Sequence, residues 1–317
     1  MNATSAVAAV VIGLLLAGGP MVRAAPPVDP PGTVAPAAEA AYQAAVALRR
    51  AGRFGEAAAA FEAIAPQHPR SRRAAQALVA AASIRWTQLD DERAARRLLR
   101  RALEGPADVP GVEQAMRQLA YLERRSGGPE RELAFLNRLY QRRRQTELGP
   151  LLLERAAHIL DADLSRPSEA LALLEQLRDH HAGSTLRDDA ALAEADLLRR
   201  LHRPEDALRP VRRVIASHQE SFIVGEYDSS LLDDAYLLHA EILERDLGRL
   251  EASESQYLQL VRELPESILV DDALARAAAT AIRRGDPAAA ARHRAELARL
   301  RPGSRFLHRP SSSRARP

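Results

Sequence analysis

The sequence predicts an all-α fold of stacked helix pairs, from two phase-locked series of small residues and a helix-favouring composition. The first series is seven alanines spaced 37 to 45 positions apart: Ala45, Ala82, Ala120, Ala157, Ala195, Ala240 and Ala278. The second follows each alanine after 12 or 13 positions: Ala57, Ala95, Glu132, Ala170, Ala207, Ser253 and Ala290. A fixed period of this length is typical of a solenoid, in which no unit buries its apolar face alone. We number the repeats 1 to 7, and call the helix with the first alanine helix A and its successor helix B.

The composition agrees with one continuous helical array. The chain has 317 residues, of which 46% are hydrophobic and only 4% aromatic. Few aromatic residues and abundant Ala and Leu favour closely approaching helices over a β-sandwich. All 45 basic residues are arginine, and acids interleave with them to leave a formal net charge of +3. Without a basic stripe or a reader motif, we expect no nucleic-acid partner.

The two ends of the chain are predicted to lie outside the array. Residues 1–24 read as a signal peptide, because a short apolar run precedes Val22-Arg23-Ala24 and its small-residue cleavage pattern. Residues 25–36 form a proline-rich linker, and residues 304–317 a disordered basic tail. The chain has no cysteine, which excludes a lipoprotein-type lipid anchor. We therefore expect a soluble periplasmic protein, without an integral membrane segment after cleavage, that could associate peripherally with the outer membrane.

Within residues 37–303, helix B of each repeat carries two further apolar positions. They lie four and seven residues after the small residue, and so on one face of a helix. The first set is Phe61, Leu99, Leu136, Leu174, Val211, Tyr257 and Arg294; the second is Ile64, Ala102, Leu139, Leu177, Val214, Leu260 and Leu297. Arg294 breaks the pattern in the last repeat, where a capping unit needs a polar outer face.

Repeat 1, residues 42–69, resembles a tetratricopeptide repeat (TPR). The resemblance rests on a small residue in helix A, Gly52 at the turn, then Ala57 and Phe61, with a closing Pro69. It extends over about seven repeats and implies a right-handed α-solenoid of TPR-like helix pairs, whose concave groove is lined by helix A.

A second motif narrows the resemblance. Variants of Ser-x-Leu-x-Asp-Asp-Ala begin at Ser184, Ser230 and Ser267. They are similar to bacterial envelope TPR proteins of the BamD-like and Tol–Pal-associated kind, although the lipobox cysteine is missing, so an outer-membrane assembly role does not carry over. The paired aspartates stand at helix starts, where we expect them to cap free N–H groups rather than to bind metal.

The family's groove geometry points to helix-A positions three before, one after and four after each alanine. These positions include Tyr42, Arg49, Trp86, Arg117, Tyr121, Arg124, His158 and Asp161 in the first four repeats, and Asp196, Arg199, Glu241 and Glu244 in repeats 5 and 6. Arginine and aromatic groups in the amino-terminal part suit an extended acidic or C-terminal peptide. The predicted function is a non-catalytic protein-interaction scaffold of the cell envelope that needs no cofactor.

Two alternatives remain open at this point. His158 and Asp161 lie three positions apart and could share a helix face, as an acid–base couple in an envelope hydrolase-associated protein would require. A purely structural spacer is the other alternative. The chain has no lysine, no Gly-x-Ser-x-Gly and no His-Glu-x-x-His, which excludes several familiar enzyme classes.

The irregular gap between Ala195 and Ala240 contains an insertion at residues 217–229. It brings Phe222 and Tyr227 into a chain that has few aromatic residues. A longer turn folded back on the array is the favoured interpretation, and a contact loop on the binding face is the second.

Overall fold

The computed structural model describes residues 36–69, 71–105, 111–221 and 231–307, and its regular elements there are all helical. The helices are α1 (Pro36–Arg50), α2 (Phe54–Gln67), α3 (Arg72–Thr87), α4 (Glu92–Ala102), α5 (Val112–Arg143), α6 (Leu148–His158), α7 (Pro167–His180), α8 (Arg187–Arg200), α9 (Pro204–Ser221), α10 (Leu232–Glu241), α11 (Leu250–Glu263), α12 (Val270–Arg283) and α13 (Pro287–Leu300). Gly127 and Gly128 interrupt α5, which therefore contains both helices of repeat 3.

The chain forms two compact units, residues 1–164 and 165–317, and the boundary falls between the two helices of repeat 4. In the amino-terminal unit each helix packs on its chain neighbour from α1 to α6, and helix A of one repeat also touches helix A of the next, as in α1 with α3 and α3 with α5. In the carboxyl-terminal unit, α7 to α13 likewise pack in chain order. Packing between sequence neighbours is the arrangement of an α-solenoid.

Both series of small residues are buried, as predicted. All fourteen positions, including Glu132 and Ser253, are at most 4% exposed. In repeat 6 the two series are joined directly, because the Ser253 hydroxyl donates to the Ala240 carbonyl oxygen at 2.9 Å. Small side chains at these buried positions allow helix A and helix B to approach closely.

The two apolar sets predicted for helix B, which together form a stripe along that helix, are also buried. Every member of the two apolar sets is at most 8% exposed except Arg294, which is exposed on the last helix. Tyr257 and Phe61 are the largest side chains of the stripe and are fully buried. The polar outer position expected of a terminal repeat is therefore present on α13.

Each turn between helix A and helix B contains one residue in the left-handed backbone region. Glycine occupies it in repeats 1, 3, 6 and 7, at Gly52, Gly128, Gly248 and Gly285, with φ between 65° and 83°. In repeats 2, 4 and 5 the residue is Asp90, Ser165 or His202, with φ between 51° and 58°. The sequence reveals this third series only where glycine fills it, because a left-handed conformation is uncommon for other residues.

Two A helices end in a π-helical segment of the same sequence pattern. Ile159–Asp163 follows α6 and Ile242–Asp246 follows α10, and both begin Ile-Leu and end in Asp. In both repeats the left-handed residue stands eight positions after the alanine, as it also does in repeats 2 and 3, rather than seven as in repeats 1, 5 and 7. In repeats 4 and 6 the wider π turn accommodates the additional residue without ending the helix.

The paired aspartates satisfy free N–H groups at their helix starts, although from inside the first turn: Asp233 Oδ1 accepts from the backbone N–H of Asp234 at 2.9 Å, and Asp271 Oδ1 from that of Asp272 at 3.0 Å. Asp233 and Asp271 lie within the first turns of α10 and α12, whose N-cap side chains make no capping hydrogen bond. The other oxygen of each carboxylate accepts from a serine that follows helix B of the same repeat: Ser267 Oγ lies 2.6 Å from Asp233 Oδ2, and Ser304 Oγ lies 3.0 Å from Asp271 Oδ2. The bond between Ser267 and Asp233 therefore links repeat 6 to the start of repeat 7.

Some predicted features lie outside the described residues. The signal peptide, most of the linker, and Phe222 and Tyr227 of the insertion are among them. At the carboxyl end the described chain continues to Leu307, and Phe306 and Leu307 pack against the core of the last two repeats. None of the described helices has the length and apolar character that a membrane crossing requires.

The contact between α8 and α9 provides a test of the small positions. Ala195 is fully buried there, whereas Ala193 on the same helix is exposed. Ala195→Leu should force the helices apart and cost about 1–3 kcal/mol, and Ala193→Leu should change stability little. Thermal unfolding followed by circular dichroism compares the two, and equal melting temperatures would contradict the assignment of Ala195 to the contact.

Candidate functional site

A cleft of about 560 Å³ lies between the first half of α5 and helix α6 in the amino-terminal unit. It brings together four of the predicted groove residues: Arg117, Tyr121, Arg124 and His158. Its apolar wall is formed by Met116, Ala120 and Leu151, and its remaining charged residues are Glu132, Glu154 and Arg155. Three arginines therefore face two carboxylates across a partly apolar recess of a size that suits a peptide side chain or terminus.

An aromatic pair extends the cleft toward repeat 2. Tyr121 is 53% exposed and its ring centroid lies 5.6 Å from that of Trp86 on α3. The Arg125 guanidinium lies over the Trp86 ring at 5.9 Å from its centroid. The exposed ring of Tyr121 offers a large apolar contact area to a ligand.

Arg117 is the arginine of the cleft with the weakest restraint. Its side chain is 69% exposed and makes an ion pair with Glu113 one turn earlier, at 2.6 Å. Such an exposed pair within a helix contributes little to stability. Its guanidinium can therefore exchange Glu113 for a ligand carboxylate at small cost.

Glu132 lies at the base of the cleft, in the position that alanine or serine fills in the other repeats. It is 1% exposed, and its two carboxylate oxygens accept from different arginines: Arg155 Nε at 3.0 Å and Arg124 Nη1 at 3.1 Å. A buried carboxylate needs such partners, because burying an unpaired charge is costly. Glu132 therefore holds both arginines at the wall of the cleft.

Arg124 also connects two consecutive A helices. Its guanidinium donates through two nitrogens to Asp163 at the end of the first π segment, at 2.6 and 2.7 Å. The hydrogen bond from Arg124 lowers the pKa of Asp163 and is its largest influence. With Glu132 as a second carboxylate partner, Arg124 is a structural residue of the cleft more than an available ligand donor.

The same register recurs in the carboxyl-terminal unit. Arg199 stands four residues after its alanine, as Arg124 does, and donates to Asp246 at the end of the second π segment at 2.5 Å. Asp196 and Glu241 lie 3.6 and 3.9 Å from the same guanidinium. Glu244 accepts from Arg283 at 2.6 Å. The predicted groove residues of repeats 5 and 6 are thus engaged with one another and with their neighbours.

Tyr42 and Arg49 lie on α1 and do not line the cleft. The Tyr42 ring packs edge-on against Phe61 at 5.1 Å and lies beneath Arg73 at 4.5 Å, so it has a structural role in repeat 1. Arg49 is exposed in the last turn of α1. His158 lines the cleft, whereas Asp161 lies in the π segment and is not one of the lining residues.

Sequence reasoning missed the cleft residues that repeat geometry could have supplied. Glu154 occupies the position three before Ala157, the same position as Arg117 in repeat 3. Arg155 follows it, and its role becomes apparent only from its contact with Glu132. Glu132 could have been recognised from the sequence, because it is the one charged residue in a series of small residues.

The Arg124–Asp163 pair predicts a pH-dependent contribution to stability. Because the folded-state pKa of Asp163 is lowered, the pair stabilises the fold above the unfolded-state value of about 4, and this contribution disappears as pH falls through the folded-state pKa. Asp163→Asn should cost about 1 kcal/mol at neutral pH and progressively less below about pH 4.

Urea unfolding across this pH range measures the difference from the parent chain. Glu113→Gln is the control, because it removes a carboxylate from an exposed pair in the same unit. A difference for Asp163→Asn that is independent of pH would exclude the ion pair as its origin.

Solved structures with similar folds are TPR proteins. The C-terminal part of a TPR repeat-containing protein from Cytophaga hutchinsonii aligns with a TM-score of 0.50 and 11% identity, over 83% of this chain and 96% of that chain. PilF of Pseudomonas aeruginosa aligns over 75% of this chain and 96% of that chain, with a TM-score of 0.39 and 18% identity.

YrrB, described as a TPR protein with an unusual peptide-binding site, aligns over 61% of this chain and 89% of that chain, with a TM-score of 0.41 and 17% identity. No protein-family model and no curated protein matches the sequence. The helix-pair packing, the two buried series of small residues and the Cytophaga structure agree on one architecture, and the chain has the fold of a tetratricopeptide-repeat protein.

Proposed function

We propose that the protein is a non-catalytic interaction scaffold that binds a partner peptide in the cleft between α5 and α6. The observation that carries this proposal is the convergence of Arg117, Tyr121, Arg124 and His158 on that one recess. Concave sites that combine an apolar wall with a few placed polar groups are the usual binding sites of proteins. Binding through such a groove also agrees with the TPR fold.

The chemistry of the cleft favours a peptide that carries a carboxylate. Arg117 is exposed and only weakly restrained, and it stands one helical turn before the exposed ring of Tyr121. A guanidinium can bind a carboxylate through two parallel hydrogen bonds, while the adjacent ring contacts an apolar side chain. We therefore expect an apolar residue next to a C-terminal or side-chain carboxylate.

The envelope is the proposed setting of this interaction. The apolar run and cleavage pattern of residues 1–24 support export, and the Ser-x-Leu-x-Asp-Asp motif supports a relationship to envelope TPR proteins. The soluble mature chain then acts in the periplasm, either free or peripheral to the outer membrane.

A peptide library with free C termini tests the cleft directly. Fluorescence anisotropy should identify binders that end in an acidic or apolar residue, and Arg117→Ala or Tyr121→Ala should weaken them about tenfold or more. Amidation of the peptide's C terminus should have a similar effect if its terminal carboxylate is the group that Arg117 binds.

Matched controls for these variants exist in the same unit. Arg138→Ala removes an exposed arginine from the second half of α5, and Leu89→Ala removes an exposed apolar side chain outside the cleft. Both should bind like the parent. Equal losses in the controls and the cleft variants, or binding that depends on Phe222 and Tyr227 instead, would move the site elsewhere.

Export is tested separately. Amino-terminal sequencing of the protein from a periplasmic extract should find a mature chain that begins at Ala25, because cleavage follows Ala24 in the predicted pattern. An intact Met1 in a membrane fraction would show that the segment serves as an anchor.

A further inference from the structure

A second recess lies in the carboxyl-terminal unit, among α7, α8 and α9. Its volume is about 480 Å³, and five arginines line it: Arg178, Arg203, Arg209, Arg212 and Arg213. The carboxylates in its lining are Glu175, Glu194 and Asp206. The lining therefore carries two more positive than negative charges. The predicted groove residues of repeats 5 and 6, in contrast, are closely paired with oppositely charged neighbours.

The carboxylates organise the arginines without exhausting their donors. Asp206 accepts from Arg203 at 2.8 Å and also from Arg209, and these two hydrogen bonds lower the pKa of its carboxyl. Glu194 is buried between Arg178 at 2.7 Å and Arg213 at 3.4 Å. Burial raises the pKa of Glu194 despite these arginines, so its charged form is disfavoured where it faces the recess.

Arg212 has a neutral partner. Its Nε lies 3.3 Å from Nε2 of His239, whose Nδ1 lies 2.9 Å from the Gln256 side-chain oxygen. A hydrogen on Nδ1 leaves Nε2 as the acceptor, so the imidazole is uncharged in this arrangement. Burial lowers the pKa of His239, and the charge of Arg212 acts in the same direction.

Four arginines of the recess keep further N–H groups available to a ligand. Arg203, Arg209, Arg212 and Arg213 each donate to the described residues through a single nitrogen, although a guanidinium carries five N–H groups. On α9, Arg209 and Arg213 lie four residues apart and share a face, and Arg212 is adjacent to it. All three side chains line the same recess.

We propose that this recess is a binding site for a phosphate-bearing anion, held by Arg209 and Arg212 with support from Arg203 and Arg213. A phosphate group offers several acceptor oxygens and up to two negative charges, which match the forked donors and the charge excess of the lining. The protein's own carboxylates already satisfy single donors on these arginines. A phosphate group has more acceptor oxygens and more negative charge than a carboxylate, so it can bridge more of these guanidiniums at once.

Calorimetric titration of the full chain with inorganic pyrophosphate at low ionic strength tests the site. The parent should bind, and Arg209→Gln with Arg212→Gln should bind at least tenfold more weakly. The control is Arg292→Gln with Arg294→Gln, which removes the same charge from exposed positions on α13 and should bind like the parent. Absence of pyrophosphate binding by the parent, or equal weakening in the control, would overturn the proposal.

A second variant guards against a folding effect of Arg212, which contacts the buried His239. Arg203→Gln with Arg209→Gln leaves that contact intact and should also weaken binding, with a helical circular dichroism spectrum like the parent's. Unchanged binding in this folded variant would contradict the site. Arg117→Ala, in the cleft between α5 and α6, should leave pyrophosphate binding unchanged. This variant keeps the test independent of the proposed function.

Vesicle flotation identifies the source of the phosphate. Binding to phosphatidylglycerol vesicles that pyrophosphate competes away would assign the site to a lipid headgroup. Pyrophosphate binding without vesicle binding would support the site and assign it to a soluble phosphate compound. Vesicle binding that survives both pyrophosphate and the Arg209→Gln, Arg212→Gln substitutions would exclude the recess as the lipid contact.

Discussion

The contact between small residues of helix A and helix B is the constraint on which the other features of each repeat depend. Its clearest example is Ser253, whose hydroxyl reaches the Ala240 carbonyl oxygen directly across the two helices. Because the backbones approach so closely there, the next residues outward, such as Tyr257 and Phe61, can fill the space beside the contact and become fully buried. The left-handed turn residue then fixes the short connection that this approach requires.

Charge is distributed around this contact according to a second rule. Each buried glutamate of the described residues lies between two side-chain partners, as Glu132 does between Arg124 and Arg155, and Glu254 between His293 and Arg284. A single partner would leave part of each carboxylate unsatisfied, and the desolvation penalty would then exceed the gain. The same rule explains why many arginines of this chain support the array.

Much of the fold could be predicted from the sequence because its determinants are local and periodic. The fourteen small positions and the helix-B stripe follow from spacing alone, and the structure buries them with the exception of Arg294. The π segments could not be predicted in this way, since a single additional residue per repeat does not reveal how the backbone absorbs it. The serine–aspartate links also escaped prediction, because the partner of Asp233 lies 34 residues away and belongs to the next copy of its own motif.

The candidate cleft was predicted in part. The helix-A positions that repeat geometry selects include Arg117, Tyr121, Arg124 and His158, all of which line the recess. The same rule also selected Tyr42, Arg199 and Glu244, whose contacts are with the protein itself. Position on a groove face can be read from periodicity, but whether a charge is already paired depends on neighbours one repeat away.

The short reach of these interactions has a consequence for how the protein unfolds. Among the described residues, the side-chain hydrogen bond with the greatest sequence separation joins Arg199 to Asp246, 47 positions apart, and the serine–aspartate links span 33 and 34. In the described parts of the chain these bonds join only residues of the same or consecutive repeats, so contact order is low and folding can nucleate locally. Backbone amides of terminal repeats should exchange with solvent through partial openings that leave interior repeats intact, as in a one-dimensional chain of coupled units.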